Sequence, residues 1–305
     1  MTQQTAFSIS EAVELAYGLV AREAEALGVR VLGLKGPAAA RQGFRERGPS
    51  TDADLLVDGR AEPVVQALRD LGWRTRVQSP APRFFPDHSV ELYHPRWPCD
   101  IDLHTFYPGF FEDPDVVFER LWESRETVEL AGRAVDVPSR AGQALVIAVH
   151  AARTPDRPRS RSDRRRIVTM LRDDAAMRAE FASLATTFRS DQVLENLWAE
   201  IGVPVSGDLH PAEQLAWDRL LAGGGRSTAF HLYVALSTGG LRHRISAARA
   251  AAGIALRTAS PRSRVLPDGS VKAPWWRRVP ELVAEVRRAR AVLRARTRAG
   301  RSGSQ

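Results

Sequence analysis

Asp52 and Asp54 stand one residue apart at the head of an apolar run, Leu55-Leu56-Val57. On an extended strand, alternate side chains leave the same face. Both carboxylates therefore project from one side of a strand that is otherwise apolar. Two anions that close repel each other and resist removal from water. The arrangement calls for a cation between them, usually a divalent metal. A second segment, Cys99-Asp100-Ile101-Asp102-Leu103-His104, repeats the pattern, and Leu34-Lys35-Gly36-Pro37 upstream reads as a strand end running into a helix start. These residue types point to a metal-dependent site that handles phosphate.

The elements that must carry these residues alternate between helical and strand patterns. Residues 9–27 place Ala12, Leu15, Ala16, Leu19, Val20 and Ala24 at helical spacing, with Ser10 as the expected N-cap and Gly28 as the stop. Strands are expected over residues 29–34, 52–57, 73–77, 89–93 and 100–105, the last two as neighbours across residues 94–98. Short helices are expected over residues 37–42, with Pro37 in the first turn, and 62–71. Residues 79–87 read as a proline-rich loop, and residues 127–137 as a hairpin around Gly132.

After Pro138 the pattern turns helical, with helices expected over residues 141–152, 167–171, 177–188, 193–201, 211–221, 228–237, 241–254 and 280–298. A loop rich in proline and serine spans 258–274. The expected organisation is a mixed α/β domain over residues 1–138, a helical domain with a basic terminal helix over 139–298, and a disordered tail over 299–305. No internal repeat is visible.

Composition narrows the class. Apolar residues make up 44% of 305, enough for a substantial core. The single cysteine, Cys99, excludes a disulfide framework within the chain and fits a reducing cytosol. The first ten residues lack a basic segment followed by an apolar one, so no signal peptide is expected. No apolar run approaches the roughly 20 residues that span a bilayer. A cytoplasmic location is expected. The net charge of +8 comes almost entirely from arginine, since Lys35 and Lys272 are the only lysines. A basic chain favours acidic partners such as nucleotides, nucleic acid or anionic lipid. A compact ammonium at Lys35 serves where a planar guanidinium does not fit.

Taken in order, Lys35-Gly36, Asp52-Ala53-Asp54 and Ile101-Asp102-Leu103 resemble the nucleotidyltransferase pattern of the DNA polymerase β-like superfamily. They are most similar to a bacterial family of uncharacterised nucleotidyltransferases. There a leucine-lysine-glycine element precedes the paired aspartates, and an aspartate-leucine-histidine element follows. The resemblance spans residues 31–105. It implies an α+β fold: an N-terminal nucleotidyltransferase-like mixed β-sheet with flanking helices, followed by a mainly α-helical C-terminal region. It also implies Mg²⁺ held by Asp52, Asp54 and Asp102, the last doubling as general base. The implied reaction moves a nucleoside monophosphate from a nucleoside triphosphate (ATP or another) to a hydroxyl acceptor. Gly36 suits close approach of phosphate to the backbone at a helix start, and Lys35 adds a point charge there. The wider superfamily carries glycine-serine where this chain has Gly36-Pro37, which removes a hydroxyl and an amide. Ser50 or Thr51 offers a substitute hydroxyl.

Several residues keep two readings. Asp100 shares a face with Asp102 and His104, so it is the rival third carboxylate. His104 either touches metal or substrate, or serves as a hydrogen-bonded structural residue. His150, closing an apolar helix, reads as a packed or capping residue. Arginine-rich residues 153–166 offer contacts for RNA, DNA or a triphosphate tail, against the commoner outcome of a solvated loop. The terminal helix either docks on the protein or lies on an anionic membrane. Two rivals to the transferase follow. One is an inactive relative that binds nucleotide, motivated by the missing serine. The other is a basic nucleic-acid-binding protein, motivated by the arginine stretch.

Overall fold

A computed structural model describes residues 8–45, 50–76, 88–205 and 208–223. The expected loop over 79–87 and every element expected beyond residue 223 lie outside these residues.

Helix α1 (Ile9–Ala26) begins in a capping box. The Ser8 amide donates to Glu11 Oε2 at 2.9 Å, and the Glu11 amide donates to Ser8 Oγ at 3.3 Å. The cap is therefore Ser8 rather than the expected Ser10, because only Ser8 has a glutamate three residues on. The buried stripe is Ala12, Val13, Ala16, Tyr17, Val20 and Ala24, which leaves Leu15 and Leu19 on its flank. Gly28, at φ +63°, ends the run as expected.

Next come β1 (Val31–Leu34), α2 (Gly36–Arg41), β2 (Asp52–Val57), α3 (Ala61–Asp70), β3 (Arg74–Thr75), β4 (Ser89–Tyr93) and β5 (Asp100–His104). The five strands form one mixed sheet in the order β1-β2-β5-β4-β3. Only β2 and β5 pair in parallel. Parallel neighbours need a crossover, and here α3, β3 and β4 supply it. Helix α1 packs on β2 and α3, so Tyr17, Val20, Leu55, Val57, Val64, Leu68 and Ile101 share one core. A leucine buried there contributes about 1.5–3 kcal/mol.

Helix α4 (Pro114–Glu123) was not expected from the sequence, although its signals are present. Asp113 accepts from the Asp115 amide, Pro114 opens the first turn, and Val117, Phe118 and Leu121 are buried on one side. Strands β6 (Glu126–Leu130) and β7 (Arg133–Val137) form the expected hairpin. Both residues of its tight turn have positive φ, Ala131 at +51° and Gly132 at +73°. That backbone twist matches paired antiparallel strands.

Every described element after β7 is helical: α5 (Arg140–Arg153), α6 (Pro158–Asp173), α7 (Ala175–Thr187), a single 3₁₀ turn (Gln192–Leu194) and α8 (Glu195–Ile201). The arginine stretch differs from expectation. Its second half is helix from Pro158 onward, because proline fits the first helical turn, where an amide donor is not needed. Ser160, Asp163, Ile167, Val168 and Leu171 make the buried stripe of α6, and the arginines take the other faces. The compact unit that holds the sheet continues across Pro138 to His210. Helix α9 (Pro211–Gly223) belongs to a second unit. No helix among the described residues is long and apolar enough to cross a membrane.

Cys99 is buried just before β5, and burial beside Asp100 pushes its thiol up to about 11. The reactive form is the thiolate. At pH 8 it makes up only about a thousandth of the population, against roughly a quarter for a free thiol. An aromatic disulfide reagent is therefore expected to label native protein about two orders of magnitude more slowly than protein in urea. Equal rates would mean that the start of β5 opens freely.

Candidate active site

The parallel register of β2 and β5 sets Asp52 beside Asp100, Asp54 beside Asp102, and Leu56 beside His104. Alternation then turns the acidic residues of both strands and His104 to one face. Ala53, Leu55, Ile101 and Leu103 are fully buried on the other. On its far side β2 pairs with β1, and Leu34 lies opposite Asp54. That pairing delivers the next residue, Lys35, to the same place.

Tyr17, on α1, latches these strands together. Its hydroxyl donates to the Leu34 carbonyl at 2.5 Å and accepts from the Asp54 amide at 3.1 Å. Burial and the nearby Asp54 charge push its pKa well above the ordinary tyrosine value, so the hydroxyl stays protonated. Tyr17 is a site residue beyond those expected from the sequence. Its signal was a polar-tipped aromatic within an apolar helical stripe.

Lys35 is buried, and its ammonium lies 2.7 Å from Asp54 Oδ1. Its backbone has φ +52°, and its amide donates to the Oε1 of the buried Gln143 on α5 at 3.1 Å. Burial alone would strip this pair of charge, but mutual attraction wins. Asp54 holds Lys35 above the usual lysine range, and Lys35 with His104 hold Asp54 well below the usual carboxylate range. Both groups are ionised.

His104 Nε2 sits 3.0 Å from Asp54 Oδ1 and 3.5 Å from Asp102 Oδ2, bridging the two strands' carboxylates. Ligand atoms of Asp54, Asp102 and His104 all lie within 4.8 Å of one another. Asp102 Oδ1 and His104 Nδ1 are buried and have no hydrogen-bond partner among the described residues. An orphaned carboxylate oxygen in such a place is costly, and a hard cation satisfies it. The residues present therefore fit a divalent ion.

Asp52 lies outside that tight group, with Ser50 Oγ 3.4 Å from its Oδ1. Burial and the Asp54 charge raise its pKa, with Lys35 opposing. Asp100, the rival third carboxylate, instead pairs with Arg76 at 3.0 Å on the exposed side. Gly36 follows Lys35 at φ +42°, and a Cβ there would lie 3.1 Å from the Tyr17 hydroxyl. His150 has a buried Nδ1 without a hydrogen-bond partner among the described residues. Burial and the charges of Lys35 and Arg153 hold its pKa well below the usual histidine value, so it is neutral. Tyr107 presents its ring 5.6 Å from the Lys35 ammonium.

A cleft of about 920 Å³ opens between α1, α2 and the start of α6, with Gly36, Pro37 and Ser50 in its wall. That is ample for a cofactor-sized ligand, for which sites of about 300–1,000 Å³ are usual. Ser50 faces the cleft and also reaches Asp52, which joins the cleft to the carboxylates. Arg45 and Asp163 close one side with a partly buried two-point pair, Nε to Oδ1 at 3.0 Å and the terminal nitrogen to Oδ2 at 2.6 Å. Arg41 is engaged by Glu14, and Arg166 by the Gly43 carbonyl, each at 3.2 Å. Arg159 also lines the cleft and has no ion pair among the described residues. Partial desolvation and the Arg45 charge lower its pKa, while Asp163, Asp52 and Asp54 pull it up. It thus lies within electrostatic reach of the carboxylates.

A family described as uncharacterised nucleotidyltransferase matches residues 5–196 of the chain. No curated protein matches it. Among solved structures, the antibiotic-resistance factor ANT(2'')-Ia in solution is 17% identical at a TM-score of 0.42, covering 62% of this chain and 97% of that one. An antigenic nucleotidyltransferase-like protein from Paracoccidioides brasiliensis is 14% identical at 0.38, covering 65% and 95%. A tRNA-processing enzyme in an apo form is 11% identical at 0.29, covering 93% and 98%.

Proposed function

The chain belongs to the uncharacterised nucleotidyltransferase family, and from that premise we propose that it transfers a nucleoside monophosphate from a nucleoside triphosphate to a hydroxyl acceptor in the cytoplasm, with Mg²⁺ as cofactor. The observation that carries this reading is the group of buried Asp54, half-buried Asp102 and buried His104, with one buried carboxylate oxygen orphaned among the described residues. Asp54 and Asp102 would hold the metal, and Asp52, outside that tight group but on the same strand face, with its pKa raised by burial and by the Asp54 charge, would be the third carboxylate. When bound, Mg²⁺ neutralises these carboxylates and polarises the reacting phosphate. Asp102 takes the proton of the acceptor hydroxyl. The acceptor oxygen bonds to the α-phosphorus as the bond to the bridging oxygen breaks, and pyrophosphate leaves.

His104 acts as the clamp that keeps the two carboxylates in register. Gly36 admits the triphosphate to the backbone at the start of α2, with Lys35 beside it. The tail of the triphosphate runs into the cleft toward Arg159. One charge-assisted hydrogen bond is worth about 1.5–3 kcal/mol. Arg159→Ala is therefore expected to raise KM for the triphosphate by roughly tenfold or more, with kcat little changed. Steady-state kinetics at varied triphosphate concentration reads this directly.

The assignment is tested by incubating purified protein with labelled triphosphates and candidate acceptors, cell extract included. Label should appear on an acceptor with equimolar pyrophosphate, and Asp102→Asn should lose both. Unchanged labelling in that variant removes the proposal. A second reading is favoured by the Lys35 ammonium, which already neutralises Asp54: a relative that binds nucleotide without transfer. Tight Mg²⁺-dependent nucleotide binding, with no pyrophosphate from any acceptor, would select it.

A further inference from the structure

We infer that Lys35 is a resident counter-ion, occupying Asp54 before metal binds and passing to the nucleotide's phosphate afterwards, so that metal and nucleotide loading are coupled through one side chain. The inference rests on the metal-site reading above and adds to it a role for Lys35 that the carboxylates alone do not require.

A buried carboxylate needs a cation, and Lys35 supplies it at 2.7 Å. A divalent ion shared by Asp54 and Asp102 would sit in the same small volume, since the ligand atoms lie within 4.8 Å of each other. Two cations at that separation, shielded from water, repel strongly. Asp54 Oδ1 already carries two close neighbours, Lys35 and His104. Of those two, His104 is fixed within β5, whereas Lys35 ends a flexible four-carbon stem. Lys35 is the group that can yield. Its backbone is held by Gln143, and the next residue, Gly36, opens onto the cleft. The ammonium therefore need only swing about a fixed anchor. Sequence makes lysine the informative choice here: with arginine used almost everywhere else, this site retains one of only two lysines. A single flexible point charge can trade partners in a way that a planar, two-point guanidinium does less readily.

The scarcity of lysine also makes the test clean. In full-length Lys272→Arg, Lys35 is the only remaining lysine. It is treated with an amine-reactive acetyl ester, and the Lys35 peptide is quantified by mass spectrometry. Binding of Mn²⁺, a spectroscopic stand-in for Mg²⁺, is measured in parallel by water-proton relaxation. Acetylation is expected to be slow without metal, to rise by about tenfold with saturating Mn²⁺, and to fall again when a non-hydrolysable triphosphate is added. Lys35→Met, with folding verified by circular dichroism, is expected to bind Mn²⁺ about tenfold more tightly, because one like-charge repulsion is removed. Mn²⁺ binding with unchanged Lys35 reactivity overturns the exchange and leaves the metal site standing. Absence of any Mn²⁺ binding overturns both.

Discussion

Asp54→Asn should abolish nucleotidyl transfer, lowering kcat by about 10³-fold or more, since a metal's stabilisation of transition-state charge is worth several kcal/mol. Asn is nearly the same shape, so the loss would be one of charge. The same change should cost stability. It leaves Lys35 buried at 2.7 Å from an amide instead of a carboxylate. Removing one partner of a buried ion pair typically costs about 3–5 kcal/mol. The two effects separate in the double variant. Asp54→Asn with Lys35→Met removes both buried charges, so most of the lost stability should return, while activity should not. Urea denaturation of the four proteins, read beside pyrophosphate release, checks this. If the double variant regains activity, Asp54 is structural and the metal assignment is wrong.

Asp163→Ala should be nearly as damaging to stability, for a reason unrelated to the carboxylates. Arg45 follows α2, Asp163 faces it from α6, and the two meet through two hydrogen bonds with side chains only 12% and 6% exposed. Alanine leaves the guanidinium buried without its partner. The expected loss is about 3–5 kcal/mol, visible as a lower urea midpoint. The same pair closes one side of the cleft. Arg45 freed from Asp163 would leave that wall unsupported, so KM for the triphosphate should rise while Asp54-dependent chemistry persists. Asp163→Asn, which keeps one of the two acceptor oxygens, should recover part of both. A loss of unfolding free energy below about 1 kcal/mol, the value of an exposed pair, would show that the clasp is not formed in solution.

Much of this site was legible before any coordinates. The alternation in Asp52-Ala53-Asp54 and in Asp100-Ile101-Asp102 sets which side chains share a face, because a strand has period two. The hairpin at Gly132, the stop at Gly28 and the opening turn at Pro37 follow from backbone preferences of single residues. Errors arose where one residue type carries opposite meanings. Proline ends a helix when it falls inside one and opens a helix when it falls in the first turn, so Pro158 by itself does not distinguish the head of α6 from a loop. Ser8 and Ser10 are equal as caps until Glu11 selects Ser8. Helix α4 has its local signal in Asp113-Pro114, a cap followed by a first-turn proline.

Partnership was the harder quantity. The sequence expects Lys35 beside phosphate, and nothing in it says that the ammonium also meets Asp54. Nothing local distinguishes Asp100 from Asp102, and Arg76 on the opposite edge engages the former. Tyr17, Gln143 and the Arg45–Asp163 pair join segments far apart along the chain, and no pattern in either segment names the other. By itself the chain determined its described strands, most of the described helices after β7, the family it belongs to and the face on which its acids lie, since these follow from neighbouring residues and short-range sterics. Which acid meets which cation was decided only when β2 and β5 fell into parallel register and α1, α5 and α6 packed around them. Electrostatic pairing depends on distances of a few ångströms between residues that covalent bonds leave free to be anywhere.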